Sequence, residues 1–481
     1  MEIPVTRRVA RRLPWIAAAA LVIGLNAAAI GSRLLRPCPL NPWEPGYISL
    51  AWRAVHGPAA GAAPAAHMYG PAWTLALSLP LRLGAPPALA VPRVVVLGSA
   101  LLLGVGVALA LGRSAARAER RLPLVVPALL LAPSFPCASY YVEARPDMPA
   151  ILLGAIAVWL LARGQAGRRR GPWALGLAFL ALAGLVKQPL LAVAAVPLAT
   201  ALLRRSRLAR DLSWVLPPFL VALLVVGALA ASPEVRRHAL EVPARFPLQP
   251  EVLLRAIVEG PARAPLPLAL LLLDLLRRRA PRGEGEAWAL GAMLVAWPVG
   301  TLTASKLGGE VNSHLPLLLA GAVWALLRLP STGALAEGPG RARAGAPALL
   351  ALLLLLGTAH DGRRMWWIAF DAAHGDASRP AVAAALRDLP GRVVGPDDPA
   401  LVLEGGHAPG GCLAMELDAD GWSGRLPPSV AREVDGAEWV VTVDGTWPRC
   451  ELPERFLRAR GFVPAPLPGA GPGYGLWRRE R

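Results

Sequence analysis

Apolar residues along the chain gather in blocks of about 17 to 25, the length that crosses a bilayer as a helix. "LPWIAAAALVIGLNAAAIGS", "PRVVVLGSALLLGVGVALALG" and "ALLALLLLLGTA" are examples. Short basic runs punctuate the blocks: Arg7, Arg8, Arg11 and Arg12; Arg113 to Arg121; Arg163 to Arg170; Arg204 to Arg210; Arg277 to Arg282; and Arg328 to Arg343. Cytoplasmic loops carry such an excess of cations. Placing all six runs on the inside predicts spans at 14–35, 88–112, 122–139, 147–163, 172–186, 188–203, 212–231, 263–276, 286–304, 311–328 and 346–360. The segment "GPAWTLALSLPLRLG" (70–84) is short and broken by Pro80, and it reads as an interfacial or re-entrant helix. The result is an α-helical polytopic membrane protein of about 11 transmembrane helices, with the N-terminus in the cytoplasm. The basic, apolar start also suits a signal peptide, but so many later spans favour a retained first helix.

Residues 232–262 read as a longer outer loop with charges of both signs. From about 373 the pattern changes. "RVVGPDDPALVLEGG", "AEWVVTVDGTW" and "GYGLWRRE" read as short strands, "RPAVAAALRDL" and "ELPERFLRAR" as amphipathic helices. Two domains follow: 1–372 in the membrane with outer-face loops, and 373–481 as a small α/β extracytoplasmic domain.

Composition agrees with this pattern. Of 481 residues 55% are hydrophobic and 17% charged, against roughly 25% charged in soluble proteins. The net charge of +18 does not point to nucleic acid, because binding it takes a contiguous basic face and these cations are scattered through loops. Cys412 and Cys450 fall in the predicted outer domain, where a disulfide would survive, and two free thiols are the alternative. No spacing suggests a metal site, and no cofactor is implied.

Ionisable residues near a bilayer are costly and mark functional candidates. They collect at the predicted outer helix ends in four groups: Glu44, with Tyr47, Arg53 and His56, in "NPWEPGYISLAWRAVHGP", continuing to Tyr69 in "HMYGP"; Glu143, Arg145 and Asp147 in "YYVEARPDMP"; Lys187 in "GLVKQP"; and Lys306, Glu310, Asn312 and His314 in "SKLGGEVNSHLP". Lys187 and Lys306 are the only lysines among 50 cationic residues. An ammonium binds phosphate as a compact point charge, although a lysine can also merely snorkel to the headgroups. Glu44 equally suits the first turn of a helix, and Asp147 equally suits an N-cap.

The ordered set of these motifs, with "YGPAWTLALSLPLRLGAP" as a juxtamembrane helix, then "RPDMPAILLGAIAVWLLARG", "GLVKQPLLAVAAVPLA" and "KLGGEVNSHLPLLLAGAVW", resembles the GT-C membrane glycosyltransferases that use polyprenyl-phosphate sugars. That group includes the protein O-mannosyltransferases and the lipid A aminoarabinose transferases. The resemblance covers about 1–330 and, in outline, the rest. It implies transfer of a sugar from a polyprenyl-phosphate carrier to an envelope acceptor at the outer face of the inner (plasma) membrane. Family members usually carry Asp or an Asp-Glu pair where this chain has Glu44 after Trp43. The resemblance makes Glu44 the general base and Asp147 and Glu310 second-choice acids. Lys187, Lys306 and Arg145 would hold the lipid phosphate, and Tyr69 and Asn312 would orient the donor. A lipid flippase or solute transporter, or a non-catalytic relative, is the alternative. The one-sided charge and the lack of an internal repeat weigh against a midplane transport site.

Overall fold

The computed structural model describes residues 36–57, 69–115, 142–205, 208–263, 265–281, 283–306, 311–328, 378–420, 425–443, 450–471 and 473–480, together with Gly24, 27–28, 30–34 and Gly309. The predicted spans at 122–139 and 346–360, most of 14–35, and the 372/373 boundary lie outside the described residues.

Helices build the membrane part. α1 (Glu44–His56) and α2 (Pro71–Arg82) precede α3 (Ala90–Ala115). α4 (Asp147–Ala166) and α5 (Arg170–Val186) form an antiparallel hairpin. A 3-10 helix over Gln188–Ala195 leads into α6 (Val196–Leu203), followed by α7 (Leu208–Ala231). α8 (Pro250–Ala262), α9 (Pro265–Leu276), α10 (Glu284–Ala304) and α11 (Leu315–Arg328) complete it. Among the described residues four helices are long and apolar enough to cross a membrane: most of α3, α4, most of α7, and α10. Their many outward-facing leucines, such as Leu101, Leu102, Leu223 and Leu224, are the lipid-facing surface that such helices need.

The shorter predicted spans have more particular shapes. α2 has 12 residues, about 18 Å at 1.5 Å per residue, which is too short for a hydrocarbon layer of about 30 Å. Its exposed Leu75 and Leu79 give it an apolar flank. The segment 188–203 is half 3-10 and half α. Eight residues of each, at about 2.0 and 1.5 Å per residue, reach about 28 Å. The expected span at 263–276 takes the form of α9, 12 residues long, which turns 91° from α8 and with it makes a bent apolar pair. Residues expected to form an outer loop therefore supply one arm of a bent helical pair.

The charges sort to opposite ends. Asp147 and Lys187 bond across the open end of the α4–α5 hairpin, so Arg163 and Arg168–Arg170 lie at its closed end. Arg204, after α6, pairs with Glu284 at the start of α10 (3.1 Å). Arg328, ending α11, is buried between Asp274 of α9 (2.7 Å) and Glu286 of α10 (3.0 Å). Arg277 follows Asp274 one turn on, so described residues of four of the predicted cytoplasmic clusters reach the same end, and the candidate site occupies the other.

Residues 378–480 carry a four-stranded sheet in the order β1 (Val393–Val394), β2 (Trp439–Val443), β4 (Tyr474–Arg479), β3 (Phe462–Ala465). β1 pairs parallel to β2, and the other pairs are antiparallel. The expected strand over "RVVGPDDPALVLEGG" is corrected, since it is strand only at Val393–Val394. Asp398 then accepts from the Leu401 N–H (3.1 Å) and starts a helix at Pro399–Glu404, because a capping Asp before Pro is a strong helix start. The strands in "AEWVVTVDGTW" and "GYGLWRRE" form as expected. Helices Leu413–Ala419 and Pro428–Asp435, and strand β3, are additional.

Gly70, just before α2, touches the backbone of α5. A Cβ there would lie 1.8 Å from the Leu185 carbonyl oxygen. Gly70→Ala should push α2 away from α5 and lower the melting temperature in detergent. A melting temperature like the native one would show that α2 does not depend on this contact.

Candidate active site

Glu44 opens α1, but its carboxylate serves other elements. Arg93, in the first turn of α3, donates from Nε to Oε1 (3.2 Å) and from Nη2 to Oε2 (2.8 Å). The Ala144 N–H donates to Oε1 (2.8 Å) and the Leu40 N–H to Oε2 (2.7 Å). Both side chains are 0% exposed. Each oxygen accepts two hydrogen bonds, which fills the four lone-pair sites of a carboxylate. Arg93 also donates to the carbonyls of Arg33, Arg36 and Cys38. Glu44 and Arg93 thereby lock the loop before α1, α3 and the loop bearing Arg145 into one unit.

Four of the predicted residues meet beside this lock. Lys187 follows α5 in an extended conformation that ends the helix, and this sends its ammonium back to Asp147 Oδ1 (2.5 Å). Asn312, on the 3-10 turn before α11, donates to the same oxygen (3.1 Å). Asp147 Oδ2 is buried and has no hydrogen-bond partner among the described residues. Asp147 is the first residue of α4 and its side chain makes no capping bond, so the N-cap reading does not describe it. The Lys187 ammonium stands 5.3 Å from the centre of the Tyr69 ring. That ring sits 6.1 Å from Tyr47, which packs edge-on against Trp73.

Arg145 approaches from the same loop. Its Nε lies 3.0 Å from Glu143 Oε2, and its guanidinium lies over the Trp43 ring at 5.0 Å. Glu143 also accepts from Asn41 (3.2 Å) and pairs with Arg33 (3.4 Å). The group therefore combines two buried cations, one carboxylate oxygen without a partner, and aromatic walls. Such a set can hold a phosphate and accept a proton next to it.

Lys306 is not brought to this group. Its ammonium donates to the Pro243 carbonyl (2.7 Å), and its backbone bridges Leu248. It ties the segment after α7 to the end of α10. Glu310 lies outside the described residues. Tyr47 and Glu143 stand in the candidate groups and Trp43 in the Glu44 motif with no role assigned to them, and Arg93 is not among the candidates. Arg93 carried a usable signal, a lone Arg inside the apolar run 88–112, which calls for a buried partner.

No protein-family model and no curated protein matches the chain. Solved structures do. ArnT from Cupriavidus metallidurans in the apo state aligns over 98% of both chains at 15% identity, with a TM-score of 0.56. The same protein bound to undecaprenyl phosphate aligns over 97% of both chains at 16% identity, with a TM-score of 0.57. At that identity the likeness is one of architecture, and it spans the apolar helices and the α/β part alike: the chain has the fold of ArnT.

Proposed function

We propose that the protein is a membrane glycosyltransferase that moves a sugar from a polyprenyl-phosphate carrier to an envelope acceptor. The observation that carries this reading is the Asp147 carboxylate. One of its oxygens is held by Lys187 and Asn312, the other is buried without a partner, and Arg145 lies two residues away. The undecaprenyl phosphate captured in ArnT, whose fold this chain shares, supports a lipid phosphate as the ligand.

In this reaction an acceptor hydroxyl attacks the anomeric carbon of the donor sugar. The bond from that carbon to the phosphate oxygen breaks, and polyprenyl phosphate leaves with the electron pair. Asp147 Oδ2 accepts the hydroxyl proton, since a base needs an open lone pair within reach. Glu44, with both oxygens saturated, serves instead to hold the Arg145–Asp147 loop. Lys187 and Arg145 meet the charge that develops on the leaving phosphate, and preplaced cations in a dry site do this without reorganisation. Tyr69 and Asn312 orient the lysine and the carboxylate.

The inside placement of the basic clusters makes this end of the helices the outer face. It gives about eleven crossings, a cytoplasmic N-terminus, and residues 373–481 as an extracytoplasmic domain. A reporter that works only outside the cytoplasm should be active when fused after residue 375 and silent after Arg170. Activity at both positions overturns this orientation.

The functional test uses purified protein in lipid nanodiscs with polyprenyl-phosphate sugars and envelope lipid or protein acceptors. The product should gain the mass of one sugar as polyprenyl phosphate is released. Lys187→Ala should raise the donor concentration needed, and Lys187→Arg should restore part of the loss, because it keeps the charge but not the geometry. Absence of transfer from every lipid-linked donor overturns the proposal.

A further inference from the structure

The C-terminal α/β part meets α1 beside the residues that frame the site. Ser49 donates to the Gly410 carbonyl (2.9 Å). The Cys412 thiol donates to the Pro42 carbonyl (3.3 Å). Gly46 faces Met415 and Cys412 so closely that a Cβ would stand 2.5 Å from Met415 Sδ and 2.9 Å from Cys412 Cβ. Burial at this seam pushes the Cys412 thiol up to about 12, so it stays protonated and packs as an apolar group. One contact in the seam leads further inward. The Trp43 indole N–H donates to the buried carboxylate of Asp418, 375 residues away in sequence. The other aspect of that indole is its ring, and the Arg145 guanidinium rests over it at 5.0 Å.

We infer that Asp418 is a positioning residue that acts through Trp43 on Arg145, so that the C-terminal part sets the phosphate-binding cation of the membrane part. The inference deepens the glycosyl-transfer reading and rests on it. An indole has one hydrogen-bond donor and no acceptor, so its partner decides how the ring is turned about its side-chain bonds. The backbone of Trp43 is already fixed, with its N–H donating to Asn41 Oδ1 (3.0 Å). Asp418 therefore fixes the remaining freedom. A cation gains from an aromatic ring only when it stands over the face, and a carboxylate on the indole N–H makes that face more electron-rich. Asp418 thus turns and polarises the surface on which Arg145 is held. Glu143 holds the same guanidinium from another direction. The C-terminal part is then a wall of the site as well as a cap on α1.

The test measures undecaprenyl phosphate binding to the full-length protein in nanodiscs. Asp418→Asn keeps an oxygen for the indole but removes the charge, and Trp43→Phe keeps a ring but removes the N–H. Each should weaken binding roughly three- to tenfold, the size of one cation–π contact. The double variant should be no weaker than the weaker single one, because both act on one path. In an Arg145→Gln background neither change should weaken binding further. Ser49→Ala, which breaks a neighbouring seam contact with no line to Arg145, should bind like the native protein. Additive losses, losses that persist without Arg145, or an equal loss in Ser49→Ala overturn the inference in favour of general loosening of the seam. If Lys187→Ala weakens binding while the Asp418 and Trp43 variants bind normally, this inference falls and the reading of the site survives. If the native protein does not bind the lipid at all, both fall.

Discussion

Asp147→Asn should lower sugar transfer by about a hundred- to ten-thousandfold, the usual range for loss of a general base. The substitution keeps the size of the side chain and leaves an amide oxygen able to accept from Lys187 and Asn312. The helices should therefore assemble, and binding of undecaprenyl phosphate should stay within about tenfold of native. What is lost is the proton-accepting power of Oδ2, the buried oxygen without a partner. Single-turnover transfer with a lipid-linked sugar separates this chemical step from binding. Native transfer rates in Asp147→Asn would remove the carboxylate from the chemistry and leave it only as the anchor of Lys187.

Glu44→Ala should act on stability first. It strips Arg93, which is 0% exposed, of its ion-pair partner and leaves the Leu40 and Ala144 N–H groups without an acceptor. Removing one member of a buried pair costs about 3–5 kcal/mol, so the melting temperature in detergent should fall sharply and insertion should suffer. Glu44→Gln should lose less, since one oxygen remains to accept. Its folded fraction should still transfer sugar within about tenfold of native. The double variant Glu44→Leu/Arg93→Met should be more stable than Glu44→Ala, because an apolar replacement of both partners avoids the uncompensated charge. A Glu44→Gln protein that melts like the native one but loses transfer by more than a hundredfold would make Glu44 the base after all.

These two carboxylates show how far the sequence carries. Each stands in a quotable motif at a helix end, and polarity next to apolar blocks is enough to single both out. Their roles are not visible there. Whether a carboxylate is saturated or open depends on which donors reach it, and the donors to Glu44 come from Arg93 and Ala144, 49 and 100 positions away. The two lysines make the same point. Both look placed for phosphate in the sequence, but only Lys187, turned onto Asp147 by the extended residue after α5, reaches the site, while Lys306 is held by the Pro243 carbonyl.

By itself the sequence determined the class of the protein and much of its layout. Apolar runs and basic punctuation are local signals set by bilayer thickness and by the cost of moving cations across it, so they can be read without knowing any contact. That is why the long helices, the short helix α2 and the strands Trp439–Val443 and Tyr474–Arg479 were legible. Segments whose shape depends on their neighbours were not: the bend between α8 and α9, the 3-10 stretch at Gln188–Ala195, and the capped helix at Pro399–Glu404 within an expected strand. Tertiary structure alone decided which charges are spent on one another and which stay open. Asp418 marks the limit. It sits in an ordinary helix of a small α/β part, and only the packing of that part on α1 brings it to Trp43, because a hydrogen bond between residues 375 positions apart leaves no periodicity in the chain to read.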